Sequence, residues 1–119
     1  MISAQLRELA LVTNGFMPMD EGDALHEAAI VAARGLPGLP MLEVGSYCGR
    51  STIWLGDAAR QCDTVLFAVD HHRGSEENQP GWEWHDQTLV DPATGRLNTL
   101  PHFEHTMQRA NLTSVVNAV

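Results

Sequence analysis

Two carboxylates and two glycines are spaced so that they could hold a nucleoside cofactor. An apolar run from Met41 leads to Glu43 and Gly45, and Gly49 then precedes another apolar segment. This order predicts a buried strand, a tight turn and a helix N-terminus, which presents backbone N–H groups to a ligand. Asp70 ends the next apolar run, where a carboxylate can accept hydrogen bonds from both hydroxyls of a ribose. The competing interpretation of Asp70 is a cap of the next turn.

The spacing within this turn disfavours the two commonest phosphate-binding loops. A dinucleotide fingerprint that begins at Gly45 needs glycines at positions 47 and 50, which hold Tyr47 and Arg50. A P-loop needs four residues between its glycines and then lysine, whereas three separate Gly45 from Gly49 and Arg50 follows. A nicotinamide-dependent enzyme is therefore the weaker alternative.

The same turn carries a resemblance to a known family. The stretch Glu43-Val-Gly-Ser-Tyr-Cys-Gly-Arg-Ser-Thr52 resembles motif I of class I S-adenosylmethionine-dependent methyltransferases. More narrowly, it resembles a bacterial family whose motif is of the Glu-Ile-Gly-Ser-Tyr-Cys-Gly-Lys-Ser type. Residues 69–77 and the pairs Gly81-Trp82 and His85-Asp86 also resemble that family.

The resemblance implies a methyltransferase that uses S-adenosylmethionine and acts on an oxygen or nitrogen nucleophile of a small molecule. Glu43 is expected to hold the glycine turn or the amino-acid end of the cofactor, and a local capping role remains open. Tyr47 replaces the middle glycine of the commoner motif, which narrows the space beside the cofactor. The expected cofactor-binding residues are Glu43, Gly45, Ser46, Tyr47, Gly49, Ser51, Asp70 and His71.

Two histidines are candidates for a general base. His72 and His85 follow the second apolar run and lie in polar surroundings, and histidine titrates near neutral pH. Polar loop histidines with backbone partners are the competing interpretation. A metal site built from Asp70, His72 and Asp86 is the weaker alternative, because no histidine spacing matches a zinc signature. We therefore expect no metal.

The elements that position these residues begin with two amphipathic helices, at residues 2–12 and 20–34. In the second helix, Asp20 is the expected cap, and the expected packing stripe is Leu25, Ala28, Ala29, Ala32 and Ala33. A strand over 41–44 and a helix over 51–60 flank the glycine turn. Residues 64–69 are apolar throughout, which predicts a parallel strand buried on both faces.

A long loop and two further elements complete the chain. Residues 73–98 show no periodicity, and Trp82 and Trp84 indicate order, because such rings are usually buried. The substrate is expected under this loop. Thr99 then caps a helix with Pro101 in its first turn, and residues 114–119 begin a third strand.

Alternating strands and helices predict an α/β fold. The resemblance implies that this is a Rossmann-like methyltransferase fold, of which the chain holds the N-terminal half of a doubly wound parallel sheet. Residues 1–40 are expected to form a helical annex, and residues 41–119 an incomplete cofactor-binding domain. Nothing in the sequence pairs with the outer edge of the first strand, which would be exposed. The alternative function is thus a non-catalytic, truncated nucleoside-binding module that is stable only as an oligomer.

Composition excludes several classes of protein. The 119 residues carry a net charge of −8, which argues against nucleic-acid partners because no basic stripe neutralises phosphates. No apolar run approaches the ~20 residues of a membrane span, and the N-terminus lacks the pattern of a signal peptide. With only two cysteines, we expect a cytoplasmic protein that acts on a small molecule, with homo-oligomerisation as an open expectation.

Overall fold

The computed structural model describes residues 1–119 and contains four helices and three strands. In chain order these are α1 Ala4–Val12, α2 Met19–Gly35, β1 Met41–Val44, α3 Arg50–Gln61, β2 Leu66–Val69, α4 Leu100–Ala110 and β3 Val116–Ala118. Two single turns of 3-10 helix, Glu76–Asn78 and Gln87–Leu89, interrupt the long loop. None of the helices combines the length and apolar character needed to cross a bilayer.

The three strands form one parallel sheet in the order β1-β2-β3. Met41 lies beside Leu66, and Leu66 lies beside Val116. Because parallel neighbours need a long crossover, α3 connects β1 to β2 and α4 connects β2 to β3. This arrangement confirms the predicted Rossmann-like α/β fold. The carboxyl ends of β1 and β2 lie side by side, which brings the glycine turn next to Asp70.

The core lies between the sheet and the helices. Trp54 of α3 is fully buried, in one cluster with Leu66 of β2 and Phe103 of α4. Helix α1 adds Leu6 and Leu9 to the same cluster. The division of the chain at residue 41 stays a prediction, and the N-terminal helices share their core with the sheet.

Burial in β2 alternates along the strand, so the prediction of a strand buried on both faces is wrong. Leu66 and Ala68 are buried under the helices, whereas Phe67 is 38 % exposed. Leu42 and Val44 of β1 are also exposed, and the register places Leu42 beside Phe67. The helices cover only one face of this sheet, and the opposite face is apolar and open.

Helix α2 packs through a stripe that differs from the predicted one. Its buried residues are Gly22, His26, Ala29 and Ile30, whereas Ala28 and Ala32 are exposed. Gly22 permits close contact with Trp54, and His26 Nε2 lies 2.9 Å from Asp57 Oδ2 of α3. The predicted cap was also wrong, since the helix begins at Met19 and Pro18 occupies the N-cap without a side-chain bond.

The open sheet face leads to a prediction about self-association. Leu42 and Val44 are 66 % and 77 % exposed on an edge strand that has a neighbour on one side only. Apolar edges of this kind pair with other chains. We expect the average mass in light scattering to rise with concentration for the 119-residue chain, and the double variant Leu42→Lys/Val44→Lys to stay monomeric. Val31→Lys, at an exposed valine of α2, is the control and should associate like the parent. A monomeric parent at all concentrations contradicts the prediction.

Candidate cofactor site

The glycine turn between β1 and α3 runs through left-handed backbone conformations. Gly45 has φ 88° and Gly49 has φ 93°, values that glycine adopts without a steric penalty. Gly49 also meets α4 closely, since a Cβ there would lie 3.1 Å from Met107 and 3.2 Å from Phe103. The second glycine is therefore required both by the turn and by packing.

Tyr47 adopts φ 53° in the middle of the turn, where glycine would be unstrained. Two contacts hold it. Its N–H donates to Asp70 Oδ2 at 2.8 Å, and its ring lies against Phe16 with centroids 5.5 Å apart. Burial, with smaller effects of the nearby Cys48 and Asp86, raises the pKa of the Tyr47 phenol to about 12, so the hydroxyl is neutral at physiological pH.

Asp70 fastens this turn to the end of β2. Besides the Tyr47 N–H at Oδ2, it accepts the His72 N–H at Oδ1, also at 2.8 Å. Burial raises the pKa of this carboxyl, but the two backbone hydrogen bonds and the nearby His72 and His71 outweigh it, and the pKa is lowered. Asp70 thus caps two backbone N–H groups, as the capping interpretation predicts. Each carboxylate oxygen keeps a second lone pair, so a role in ribose binding is compatible with the caps and stays a prediction.

Glu43 is directed at the start of α3 and not at open space. Its side chain is 9 % exposed and accepts the Ser51 hydroxyl at 2.7 Å and the Thr52 hydroxyl at 2.5 Å. These bonds tie the strand to the first turn of the helix, which is the turn-holding role that the resemblance implied. The carboxylate does not line the adjacent cavity.

A cavity of about 340 Å³ lies between the glycine turn and the segment that joins α1 to α2. One wall consists of Gly45, Ser46, Tyr47, Arg50 and Ser51, and the other of Asn14, Gly15, Phe16, Met17 and Glu21. The structure thus brings Gly45, Ser46, Tyr47 and Ser51, four of the expected cofactor residues, to one cavity.

Two buried polar atoms on the turn wall have no hydrogen-bond partner, Ser46 Oγ and Arg50 Nε. They lie at the start of α3, whose N-cap residue Gly49 provides no side-chain bond. Unpaired donors in such a place are costly unless a ligand satisfies them. Together with the positive end of the helix dipole, they form a site suited to an anionic group.

Arg50 and Glu21 are the functional candidates that the sequence did not single out. A signal for Arg50 existed, since a cation in the first turn of a helix opposes the dipole and is unfavourable unless it has another role. Glu21 faces the cavity only because α2 packs on α3, which no local pattern reveals.

The structure places the two histidines next to Asp70 on opposite sides. His71 is exposed and does not line the cavity, and its Nδ1 accepts the Arg73 N–H at 2.9 Å. His72 is buried against Phe103, and its Nδ1 lies 2.6 Å from Thr99 Oγ1. Burial lowers the pKa of His72, so the ring is neutral and connects β2 to the start of α4. It does not line the cavity.

His85 also lies outside the cavity, and both of its ring nitrogens face oxygen acceptors. Nδ1 lies 2.8 Å from the Asn78 carbonyl oxygen, and Nε2 lies 3.0 Å from Gln87 Oε1. The Gln87 contact, followed by that of Asn78, raises the pKa of this imidazole. A general base needs a free nitrogen lone pair, so this environment disfavours that role for His85.

The long loop carries two tryptophans, neither of which lines the cavity. Trp82 and Trp84 are 52 % and 50 % exposed, which corrects the expectation that both are buried. Trp84 nevertheless contacts Phe16 edge to face, with ring centroids 5.2 Å apart. Asn14 Nδ2 donates to Asp86 Oδ2 at 3.4 Å, so the loop contacts the annex at two points.

Comparison with known families places part of this chain in a described domain family. A family model described as a methyltransferase domain matches residues 42–118, which is more than half of the chain. The matched region begins at the second residue of β1 and ends with β3, so it includes the glycine turn, Asp70 and all of the parallel sheet except Met41.

Proposed function

Because the chain belongs to the methyltransferase-domain family, we propose that it is a class I enzyme that binds S-adenosylmethionine and methylates a small molecule. The observation that carries the proposal is the pair of unpartnered donors at the start of α3, Ser46 Oγ and Arg50 Nε. Ser46 and Arg50 both line a cavity at the carboxyl end of β1, where α/β folds bind nucleotides. The acceptor atom in this proposal is an oxygen or a nitrogen, and the expected location is the cytoplasm.

The charges around the cavity fit the two ends of the cofactor's amino-acid group. Arg50, Ser46 and the N-terminus of α3 would hold its carboxylate, and Glu21 on the opposite wall would hold its ammonium group. The free lone pairs of Asp70 would accept the ribose hydroxyls. Glu43 cannot serve as a direct ligand while Ser51 and Thr52 occupy it, so its proposed role is to fix the turn.

The cofactor supplies an activated methyl group on a sulfonium ion, and the remaining task of the protein is positioning. Methyl transfer is an in-line displacement, which is accelerated chiefly by holding the reactants at the right distance and angle. The strained turn at Tyr47 is suited to this, because Asp70 fixes its backbone and Phe16 its ring.

Arg50→Met tests the assignment of the cavity. We expect this variant to bind S-adenosylhomocysteine about 10- to 150-fold more weakly, since hydrogen bonds to charged groups contribute about 1.5–3 kcal/mol. Binding of 5′-methylthioadenosine, which lacks the amino-acid end, should not change. Isothermal titration calorimetry measures both, and Arg34→Met, at an exposed arginine near the end of α2, is the matched control.

Two outcomes contradict the proposal. Equal losses for the two ligands would place Arg50 away from the carboxylate, and tighter binding of NAD than of S-adenosylhomocysteine to the parent protein would exclude the cofactor assignment.

The open face of the sheet favours a second candidate function, a nucleoside-binding module that forms oligomers and has no activity. Leu42, Val44 and Phe67 expose apolar surface beside the site. A transfer assay with labelled S-adenosylmethionine and a panel of small alcohols and amines separates the two functions. Binding of cofactor without transfer to any acceptor favours the module.

A further inference from the structure

We infer that Phe16, Tyr47 and Trp84 form the platform that binds the methyl acceptor, and that this acceptor carries a flat aromatic ring. The inference rests on the proposed function and adds the class of substrate. These three side chains come from the α1–α2 connection, the glycine turn and the long loop. We call them the aromatic platform.

The aromatic platform is exposed although its rings contact one another. Phe16 is 59 % exposed and Trp84 is 50 % exposed, so the cluster leaves large apolar surfaces open at its centre. The rings of Phe16 and Tyr47 are inclined by 36°, and those of Phe16 and Trp84 by 70°. The exposed faces and edges of these rings are available for a further ring to pack face to face or edge to face.

The position of the platform relative to the cofactor supports an acceptor role. Phe16 and Tyr47 line the same cavity as Arg50 and Ser46, the proposed ligands of the cofactor's carboxylate. The sulfonium lies close to that end of the cofactor, so an acceptor ring bound on Phe16 and Tyr47 would share the cavity with the methyl group. A ring held there brings its substituent within reach of the methyl carbon.

Charged side chains near the aromatic platform restrict the class of acceptor further. Asp86 is tied to Asn14 beside the platform, and Glu21 lies on the cavity wall. The Thr88 hydroxyl and backbone N–H both donate to Asp86, and its pKa is lowered, so the carboxylate is charged. Glu21 would be paired with the cofactor's ammonium group, but the Asp86 carboxylate repels an anionic substrate. This favours a neutral or cationic aromatic acceptor such as a phenol or an aromatic amine.

The proposed methyl transfer requires no further reactant. A lone pair of the acceptor's oxygen or nitrogen forms the new bond to the methyl carbon as the carbon–sulfur bond breaks. The electron pair of that bond stays on sulfur, which becomes a neutral thioether, and the acceptor's proton leaves to solvent through the open rim.

The test compares a flat probe with its saturated analogue. 2-Naphthol and 2-decalol are titrated calorimetrically into the full chain saturated with S-adenosylhomocysteine. We expect 2-naphthol to bind at least 10-fold more tightly than 2-decalol. Trp84→Leu and Phe16→Leu should each weaken the binding of 2-naphthol about 10-fold, whereas Trp82→Leu should change this binding less than twofold. Trp82 is the matched control, because it is equally exposed in the same loop and has no ring contact with the platform.

The inference is overturned if the two probes bind equally well. It is also overturned if Trp82→Leu weakens the binding of 2-naphthol as much as the platform variants do. Thermal melting of each variant shows that it is folded, and two separate platform variants guard against a local folding defect. Failure of the proposed function is distinguishable, because binding of S-adenosylhomocysteine is measured first and without an acceptor. If that ligand binds and 2-naphthol does not, only the aromatic platform is rejected.

Discussion

Gly22→Ala is expected to destabilise the protein by about 3 kcal/mol, the upper part of the usual range for overpacking a core. A Cβ at position 22 would lie 2.3 Å from both Cε2 and Cζ2 of the Trp54 indole. Trp54 is fully buried at the centre of the main cluster, so it cannot swing away without displacing the core. The measurement is urea denaturation followed by circular dichroism, in which the midpoint should fall clearly.

Helix α2 itself provides the control, because Gly35 lies in its last turn and a Cβ there meets nothing within 4 Å. Gly35→Ala should be neutral or stabilising by up to about 1 kcal/mol, since alanine favours the helix. If both variants are equally stable, α2 does not pack on Trp54 as described. Loss of that packing would also loosen Glu21 and the cavity wall, so Gly22→Ala should bind S-adenosylhomocysteine weakly as well.

The sheet and its order were predictable because local patterns determine them. The predicted strand over 41–44 matches β1 residue for residue, and the predicted strand over 64–69 contains β2, which begins two residues later than predicted. Both runs are short and end at turn-forming residues, and the helical segment between them leaves only a parallel crossover. The family resemblance then assigned the turn and Asp70 to one site, and the strand register places them together.

The contacts between elements were not predictable in the same way. The stripe of α2 was wrong because its packing depends on Gly22 and His26, which contact Trp54 and Asp57 of another helix. An apolar pattern identifies only the hydrophobic residues of a helix face. It does not identify small residues or paired polar residues that are buried at a helix interface. The one-sided burial of β2, which leaves Phe67 exposed, has a similar origin. The sequence of a single strand does not show whether helices cover one face of its sheet or both.

The site was only partly predictable for a related reason. Glycines and carboxylates near strand ends are local signals, and they indicated the turn correctly. The cavity also needs a second wall, which comes from residues 14–21, far away in sequence. The importance of Arg50 and Ser46 is visible only in the folded structure, where both line that cavity and each has a buried polar atom without a partner.

Asp70→Ala is expected to weaken binding of S-adenosylhomocysteine by about 1.5–3 kcal/mol, through loss of hydrogen bonds from the ribose to a charged group. The variant should also lose stability. The N–H groups of Tyr47 and His72 both donate to Asp70 at 2.8 Å, so alanine leaves two donors without an acceptor. An additional loss of about 1–3 kcal/mol in the free energy of unfolding should follow.

A pH series separates the structural role of Asp70 from its ligand role without any cofactor. The folded-state pKa is lowered from 3.8, so the charged carboxylate contributes stability above that value and loses it as pH falls through the folded pKa. The stability difference between the parent and Asp70→Asn should therefore be largest near neutral pH and shrink below about pH 4. Urea midpoints measured from pH 7 to pH 3 give this difference directly. A difference that stays constant over that range would show that the charge of Asp70 does not hold the turn, and its effect on binding would then be due to the ligand alone.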